Sequence, residues 1–376
     1  MSQYEVLTVA DTRIRLRVIS TPALRTTVNV SHRTASTMYQ VYNARLTAGT
    51  LKQYAAAYKQ FLRWSSMRGI DIERLVYNHI GDIDEILWKY LAELYNKFDT
   101  AGQSGKTSAT HTLNGLLHFQ PKLNKSIMKH SFGMCEGWNN MKPSKPHPPL
   151  SWDVTIALVM TMISNNYIEH AIATLLAFDC YLRISEFCNL RVKEVLLPND
   201  ARFSLSSTNV PSQQGSWRQG PRTILTLPSS KTGVNQSVGI ENQQIELVFN
   251  KYIHLKQKSD YVFSFNTSSY TKVFHSLLQA LQLSGIPYTP HSLRHGGSSH
   301  HYQQHGAGAL EAIAFRGRWH STESIRLYIQ QSPAQMVNYD VPSTIEVISR
   351  RYTSKFVNIL NQKIDQMCHS NTSLRK

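Results

Sequence analysis

The sequence predicts a mainly α protein with a small β-sheet, divided into an N-terminal helical domain and a C-terminal α+β domain. Three observations carry that expectation. At 376 residues the chain is too long for one ordinary core, and two domains is the natural division. Apolar residues recur at helical spacing on both sides of KPSKPHPP, residues 142–149. The four prolines in those eight residues cannot sit inside a helix, so the stretch reads as an extended linker. Beyond it, runs of β-type sequence flank a turn that contains glycine.

Composition narrows the class. Hydrophobic residues make up 41% and charged residues 17%, as in a folded rather than a disordered chain. Lys and Arg number 40 against 24 Asp and Glu, a formal net charge of +16. Such an excess calls for a polyanionic partner. No basic amphipathic lipid-binding segment stands out, so the expected partner is nucleic acid and not a membrane. Cys135, Cys180, Cys188 and Cys368 lack CxxC spacing and read as reduced thiols of an intracellular protein. The N-terminus has no continuous apolar run of the kind a secretory signal needs. VTIALVMTMI, residues 154–163, is about half of a membrane span and reads as a buried helix.

The elements follow in order. Residues 1–45 are polar and mixed, with Arg13, Arg15, Arg17 and Arg25; a strand or two can form there, and an arm or adaptor segment is expected. A helix starts in TLKQYAAAYKQFLRWSSMRG, with Thr50 as its N-cap. Leu51, Tyr54, Tyr58, Phe61 and Leu62 form its apolar stripe, and Gly69 ends it. In DEILWKYLAELYNKF the stripe is Ile86, Leu87, Tyr90, Leu91 and Leu94. A third helix in SGKTSATHTLNGLLHF carries Lys106 opposite its apolar side. These helices make a domain over 46–141. Lys52, Lys59, Arg63 and Lys106, with Lys142 and Lys145 of the linker, are its candidate phosphate contacts; the same side chains suit plain solvent, and both readings stand at this stage.

The second domain spans 150–332. LSWDVTIALVMTMI and IEHAIATLLAFDCYLRISEFCNL read as helices. ARFSLSS and RTILTLP read as strands, with SVGI as a partner after the turn SSKTG. Further helices fit 241–258, 271–284, 291–303 and about 307–315, and one runs through Tyr328. In the tail, 333–376, Ile345, Ile348, Tyr352, Phe356, Ile359 and Leu360 mark an amphipathic helix able to pack on its own domain or on a neighbour's.

Three segments of the second domain carry chemistry. In YLRISEFCNLRVKEV, Arg183 sits inside an apolar pattern and needs an anion, because burying it unpaired is costly. Glu186, three residues on, can supply that anion internally; an external anion is the other reading. In PHSLRHGGSSHHY, His291 and Arg294 are three apart on a helix that Pro290 starts, which puts both on one face. His300, His301 and His305 follow and raise the question of a metal. No HExxH glutamate lies between His301 and His305 and no cysteine is near in sequence, so no metal site is assigned. In RGRWHSTESIRLYIQ, Trp319 precedes Tyr328 by nine residues. A fourth element, PSSKTGVNQ, presents Lys231 on a turn.

The ordered set Arg183, Lys231, His291-x-x-Arg294, Trp319, Tyr328, carried by LRISEFCNLRV, SKTG, HSLRHG and GRWHSTESIRLYI, resembles the tyrosine recombinase/integrase superfamily, which includes the type IB topoisomerases. The TLKQYAAAYKQFLRW helix is similar to the opening of that family's helical core-binding domain, so the resemblance covers about 46–330. The KTG, HSLRHG and GRW forms look most similar to recombinases of eukaryotic mobile elements, of the DIRS and Crypton kinds. Many members carry His in the form LGH where Trp319 stands. Some relatives use Trp there, so Trp319 takes the position and His320 remains its competitor. The resemblance implies that Arg183, Arg294 and Trp319 hold the phosphate oxygens, Lys231 protonates the departing 5′-oxygen and His291 helps move the proton of the nucleophile, Tyr328.

These residue types suit the reaction. Forked guanidiniums match non-bridging phosphate oxygens in a way lysine cannot. The indole N–H is a donor only, and imidazole titrates near neutrality. A phenol, with a pKa of about 10, needs activation by surrounding charge but leaves more readily than an alkoxide. The scheme requires neither ATP nor a metal, and no cofactor is expected. The resemblance further implies two domains around duplex DNA, a homo-tetramer on two duplexes, and a nuclear protein that integrates or excises a mobile element. A type IB topoisomerase-like nicking and resealing enzyme and a domesticated non-catalytic DNA-binding protein are the rivals.

Overall fold

The computed structural model describes residues 5–9, 12–16, 37, 40–100, 105–143, 147–200, 202, 222–230, 233–319, 325, 329, 336 and 339–373. The chain is mainly helical, with a small three-stranded sheet and a separate two-stranded ribbon. Its contacts divide into two compact units, Met1–Ser144 and Lys145–Lys376.

The first unit opens on the antiparallel ribbon β1 (Glu5–Val9) and β2 (Thr12–Leu16), with Glu5 opposite Leu16 and Val9 opposite Thr12. Helix α1 (Ala48–Ser66) is capped by Thr47 and not by Thr50. The Thr47 backbone is extended and its hydroxyl accepts from the Thr50 N–H at 3.1 Å. Thr50 is therefore the third helical residue, whose N–H is one of the donors a cap must satisfy. At the other end Gly69 is left-handed, with φ 69°, and the Ile70 N–H returns to the Ser65 carbonyl at 3.0 Å.

Helices α2 (Ile72–Asn78), α3 (Ile83–Thr100), α4 (Lys106–Phe119) and α5 (Lys129–Met141) complete the unit. Tyr58, Phe61, Leu87, Tyr90, Leu91, Leu94, Leu113, Leu116 and Trp138 share one core. A buried carboxylate pins two of these helices: Asp84, at the start of α3, accepts from the His130 and Ser131 N–H groups, both at 2.9 Å, and from the Ser131 hydroxyl at 2.6 Å. It thereby caps α5 from another helix.

In the second unit α6 (Trp152–Ser164) and α7 (Ile168–Asp179) are buried nearly all round. No helix among the described residues is long and apolar enough to cross a membrane. The sequence pattern continues α7 through Leu190, but the helix stops at Asp179 and a separate turn of helix, α8 (Ile184–Cys188), follows. Tyr181 is left-handed, φ 49°, and the Leu182 N–H bonds back to the Ala177 carbonyl at 3.1 Å. That closing pattern ends a helix whatever the side chains say about periodicity.

The sheet is antiparallel, in the order β3 (Val195–Leu196), β4 (Ile224–Ser230), β5 (Gly233–Gly239). Residues 203–207 of the expected strand ARFSLSS lie outside the described residues, and the strand paired with β4 on this side is Val195–Leu196. Helices α9 (Gln243–Ile253), α10 (Thr267–Ala280), α11 (His291–His305) and α12 (Leu310–Gly317) follow. The approach of α11 to its neighbours is close enough to require glycine: a Cβ on Gly297 would lie 1.9 Å from the Phe178 carbonyl oxygen.

The tail forms two helices, α13 (Ser343–Tyr352) and α14 (Phe356–Ser373), where the sequence pattern was read as one. Ile345, Phe356, Leu360 and Ile364 are buried in the unit's own core. An amphipathic face that could equally have waited for a neighbour is satisfied within the chain.

Candidate active site

Helix α11 and the end of α12 each deliver an arginine to one carbonyl, that of Tyr181. Tyr181 leaves α7 in a left-handed turn, and its carbonyl oxygen accepts from Arg294 Nη1 and, at 3.3 Å, from Arg318 Nη2. Arg294 reaches it from the first turn of α11 and also donates from Nη2 to the Gly317 carbonyl at the end of α12. Only 2% of Arg294 is exposed. Two backbone carbonyls thus fix the fork of a buried guanidinium, which has five N–H donors in all.

Arg183 enters from α8. It is the N-cap of that short helix rather than a residue within one, with extended backbone at φ −76°, ψ 151°. Glu186 holds it twice: Oε2 accepts the Arg183 backbone N–H at 2.8 Å and Oε1 accepts Nη1 at 2.7 Å. Of the two partners open to Arg183 on sequence, the internal carboxylate is the one in place. The same carboxylate also accepts Arg318 Nη2 on Oε2 at 2.7 Å.

Trp319 closes the group. Helix α12 ends with Arg318 left-handed, φ 57°, and the Trp319 N–H bonds to the Ala314 carbonyl at 3.0 Å. The indole then folds back over Arg294, whose guanidinium carbon lies 4.3 Å from the ring centroid. Gly317 makes room for it, since a Cβ there would come within 1.6 Å of the indole. This is a stacked cation–π contact, which holds ring and guanidinium together.

His291 stands one turn before Arg294 on α11, its ring 4.6 Å from that of His295 and 6.3 Å from that of His147. His295 is buried; burial, helped by the charges of His291, Arg294 and His147, pushes its pKa down to about 3. It is therefore a neutral spacer beside Arg294.

Lys231, His320 and Tyr328 lie outside the described residues. Their surroundings are visible. The strands on either side of Lys231 pair Ser230 with Gly233. Ile325 and Ile329, both helical, are buried in a cluster with Tyr181, Ala309 and Ile313, against which Trp319 also packs. Ile325 and Ile329 thus share a buried cluster with Tyr181, whose carbonyl holds Arg294.

Sequence reading missed Arg316, Arg318 and Tyr181. Arg316 donates to the Asp179 carbonyl at 2.6 Å and the Gly239 carbonyl at 2.8 Å, and pairs with Glu241 at 3.0 Å. It ties the end of α7 to the end of β5 and so sets where Tyr181 begins its turn. The signal was present in RGRW, where two arginines flank the glycine that ends a helix. Near them an open pocket of about 230 Å³ is lined by Trp152, Phe178, Glu241, His300 and His301 among others. His301 Nδ1 meets the Tyr181 hydroxyl at 2.7 Å. Among the described residues no group of three or more His, Cys, Asp or Glu is placed to hold a metal ion.

On the first unit, Lys52, Lys59 and Arg63 are exposed and lie near whole turns of α1 from one another. Lys142 is exposed, and Lys145 lies outside the described residues. Lys106 differs from the sequence expectation: its ammonium donates to the Lys142 carbonyl, so it closes the end of α5 instead of standing free for a phosphate.

A buried cluster of arginines steered by backbone carbonyls thus lies beside the imidazole of His295. Residues 153–335 match the model of the phage integrase family. That stretch lies within the second unit and is similar to the domain of that family. No curated protein matches the chain. Solved structures similar to it include the XerA recombinase, at 15% identity over 85% of this chain and 97% of that one, TM-score 0.35. Others are the lambda integrase bound to DNA, at 13% identity over 77% and 99%, TM-score 0.40, and the Tn1549 transposon integrase in complex with transposon right end DNA, at 14% over 81% and 99%, TM-score 0.43.

Proposed function

We propose that the protein is a site-specific DNA recombinase of a mobile element, cleaving and rejoining strands through a 3′-phosphotyrosyl link to Tyr328. The observation that carries the reading is the meeting of Arg183, Arg294 and Trp319 around the Tyr181 turn, in a stretch similar to the domain of the phage integrase family.

The Tyr328 hydroxyl oxygen attacks the scissile phosphorus and the bond to the 5′-oxygen breaks. His291 takes up the phenol proton and Lys231 supplies one to the leaving oxygen. Arg183 and Arg294 bind the two non-bridging oxygens, where negative charge grows in the transition state. Two of the Arg294 donors are already spent on carbonyls, which costs the site no reorganisation when the phosphate arrives. The phosphotyrosine keeps the energy of the broken bond, so a 5′-hydroxyl of another strand reverses the step. Lys52, Lys59 and Arg63 bind backbone phosphates. Strand exchange takes a homo-tetramer on two duplexes and acts on chromosomal DNA in the nucleus.

A duplex nicked beside the cleavage point is the test. The wild-type protein should become covalently trapped on it, and Tyr328→Phe should bind the same duplex without trapping. Trapping by Tyr328→Phe would overturn the assignment of the nucleophile. Exchange between two labelled duplexes marks a recombinase, and relaxation of supercoils without exchange would mark a topoisomerase-like enzyme instead.

A further inference from the structure

Arg318 carries two costs that stability does not explain. It occupies the left-handed position at the end of α12, φ 57°, where glycine is the ordinary residue and an L side chain is strained. It is also 7% exposed, and its Nε–H makes no hydrogen bond among the described residues. Burying an arginine by itself is unfavourable, and burial here pulls the guanidinium pKa below its ordinary value. The one charged group its guanidinium bonds among the described residues is Glu186, at 2.7 Å. Glu186 is itself buried, with its side chain 3% exposed, and already holds Arg183 at 2.7 Å.

We infer that Arg318 is a positioning residue for strand cleavage: by holding Glu186 it leaves Arg183 able to exchange that carboxylate for the scissile phosphate. The inference rests on the strand-cleavage reading above. Without Arg318, Glu186 would have Arg183 as its sole cation, and a buried carboxylate gives up its last counter-charge only at high cost. With Arg318 in place, Arg183 can turn toward a phosphate while Glu186 stays paired. The shared carboxylate and the shared Tyr181 carbonyl join Arg183, Arg318 and Arg294 into one network. Two guanidiniums in it, Arg183 and Arg318, share one carboxylate, and Arg294 adds a third positive charge. The surplus of positive charge suits a phosphodiester whose oxygens gain charge as it reacts.

Single-turnover trapping on the nicked duplex tests this, with Arg318→Gly as the main variant, because glycine relieves the left-handed backbone. It should lower the trapping rate by roughly 30-fold or more while duplex affinity stays within about 3-fold. Arg318→Lys, which keeps the charge, should recover most of the rate. In a Glu186→Gln background, Arg318→Gly should cost less than about 3-fold, because a neutral amide does not hold Arg183 against a phosphate. Equal losses in both backgrounds, or an Arg318→Lys variant that binds duplex yet is as slow as Arg318→Gly, would overturn the inference. A wild-type protein that never traps DNA would instead overturn the strand-cleavage reading.

Discussion

At the scale of single residues, His295 shows how burial sets chemistry. Its imidazole sits against Arg294 and His291 with its pKa pushed down to about 3, against about 6.5 for an exposed histidine. A histidine held neutral contributes its stability fully above pH 6.5. That contribution drains away below pH 6.5, as the unfolded chain takes up the proton the folded chain refuses. By pH 4 the loss from this residue is about 2–4 kcal/mol. Chemical denaturation of wild type and His295→Gln between pH 7 and pH 4 checks it: the variant should lose less stability over that interval. Arg183, His291, Arg294 and Trp319 stood out as candidates from their order and the resemblance it carries. Arg318 was not, because an arginine beside a tryptophan has no signature until the left-handed turn aims it at Glu186.

At the scale of elements, helix ends matter more than helix interiors. The α7 helix, which apolar periodicity extends to Leu190, ends at Asp179 because Tyr181 takes a left-handed backbone. The result is a carbonyl aimed at two arginines. Periodicity records which face is buried and carries no information about where a chain turns. The start of α5 is set in the same way by the distant Asp84. Burial works to raise that carboxyl's pKa, but hydrogen bonds from Ser131 and His130 outweigh it and hold the group below the ordinary range. Its support is present above about pH 3.9 and fades as pH falls through the lowered value. Asp84→Ala should destabilise the first unit by about 2–3 kcal/mol at pH 7, read from urea midpoints. At the crossing of α11 and α7, Gly297→Ala should cost about 3 kcal/mol or more, because its methyl meets a carbonyl rather than a movable side chain.

For the whole molecule, the tail is a structural part of the second unit. Ile345, Phe356, Leu360 and Ile364 are each buried in its core. At about 1.5–3 kcal/mol per side chain they supply an amount comparable with a domain's entire stability. A chain ended after Pro342 should therefore lose cooperative unfolding by calorimetry, and with it DNA binding. This differs from a tail that serves assembly alone, where monomer binding would survive. On the first unit, Lys59→Ala should weaken duplex binding by a similar factor on any sequence. It should also reduce the slope of log affinity against log salt by about 1, measured by titration at several salt concentrations.

Some of this was settled by the sequence alone. The +16 charge pointed to a polyanion, because no fold can hide so large an excess. The proline run marked the break between two helical regions, because proline removes the donor a helix needs. Order and spacing, read through a family resemblance, singled out Arg183, Lys231, His291, Arg294, Trp319 and Tyr328 as candidates, because forked donors, imidazole and phenol suit phosphoryl transfer. Tertiary structure decided which cation faces which anion. Arg183 could answer Glu186 or a phosphate, Lys106 could face solvent or a carbonyl, and the tail could cover its own core or a neighbour's. Those choices depend on distances of a few ångströms between side chains and the groups they meet, and one-dimensional spacing holds no record of them.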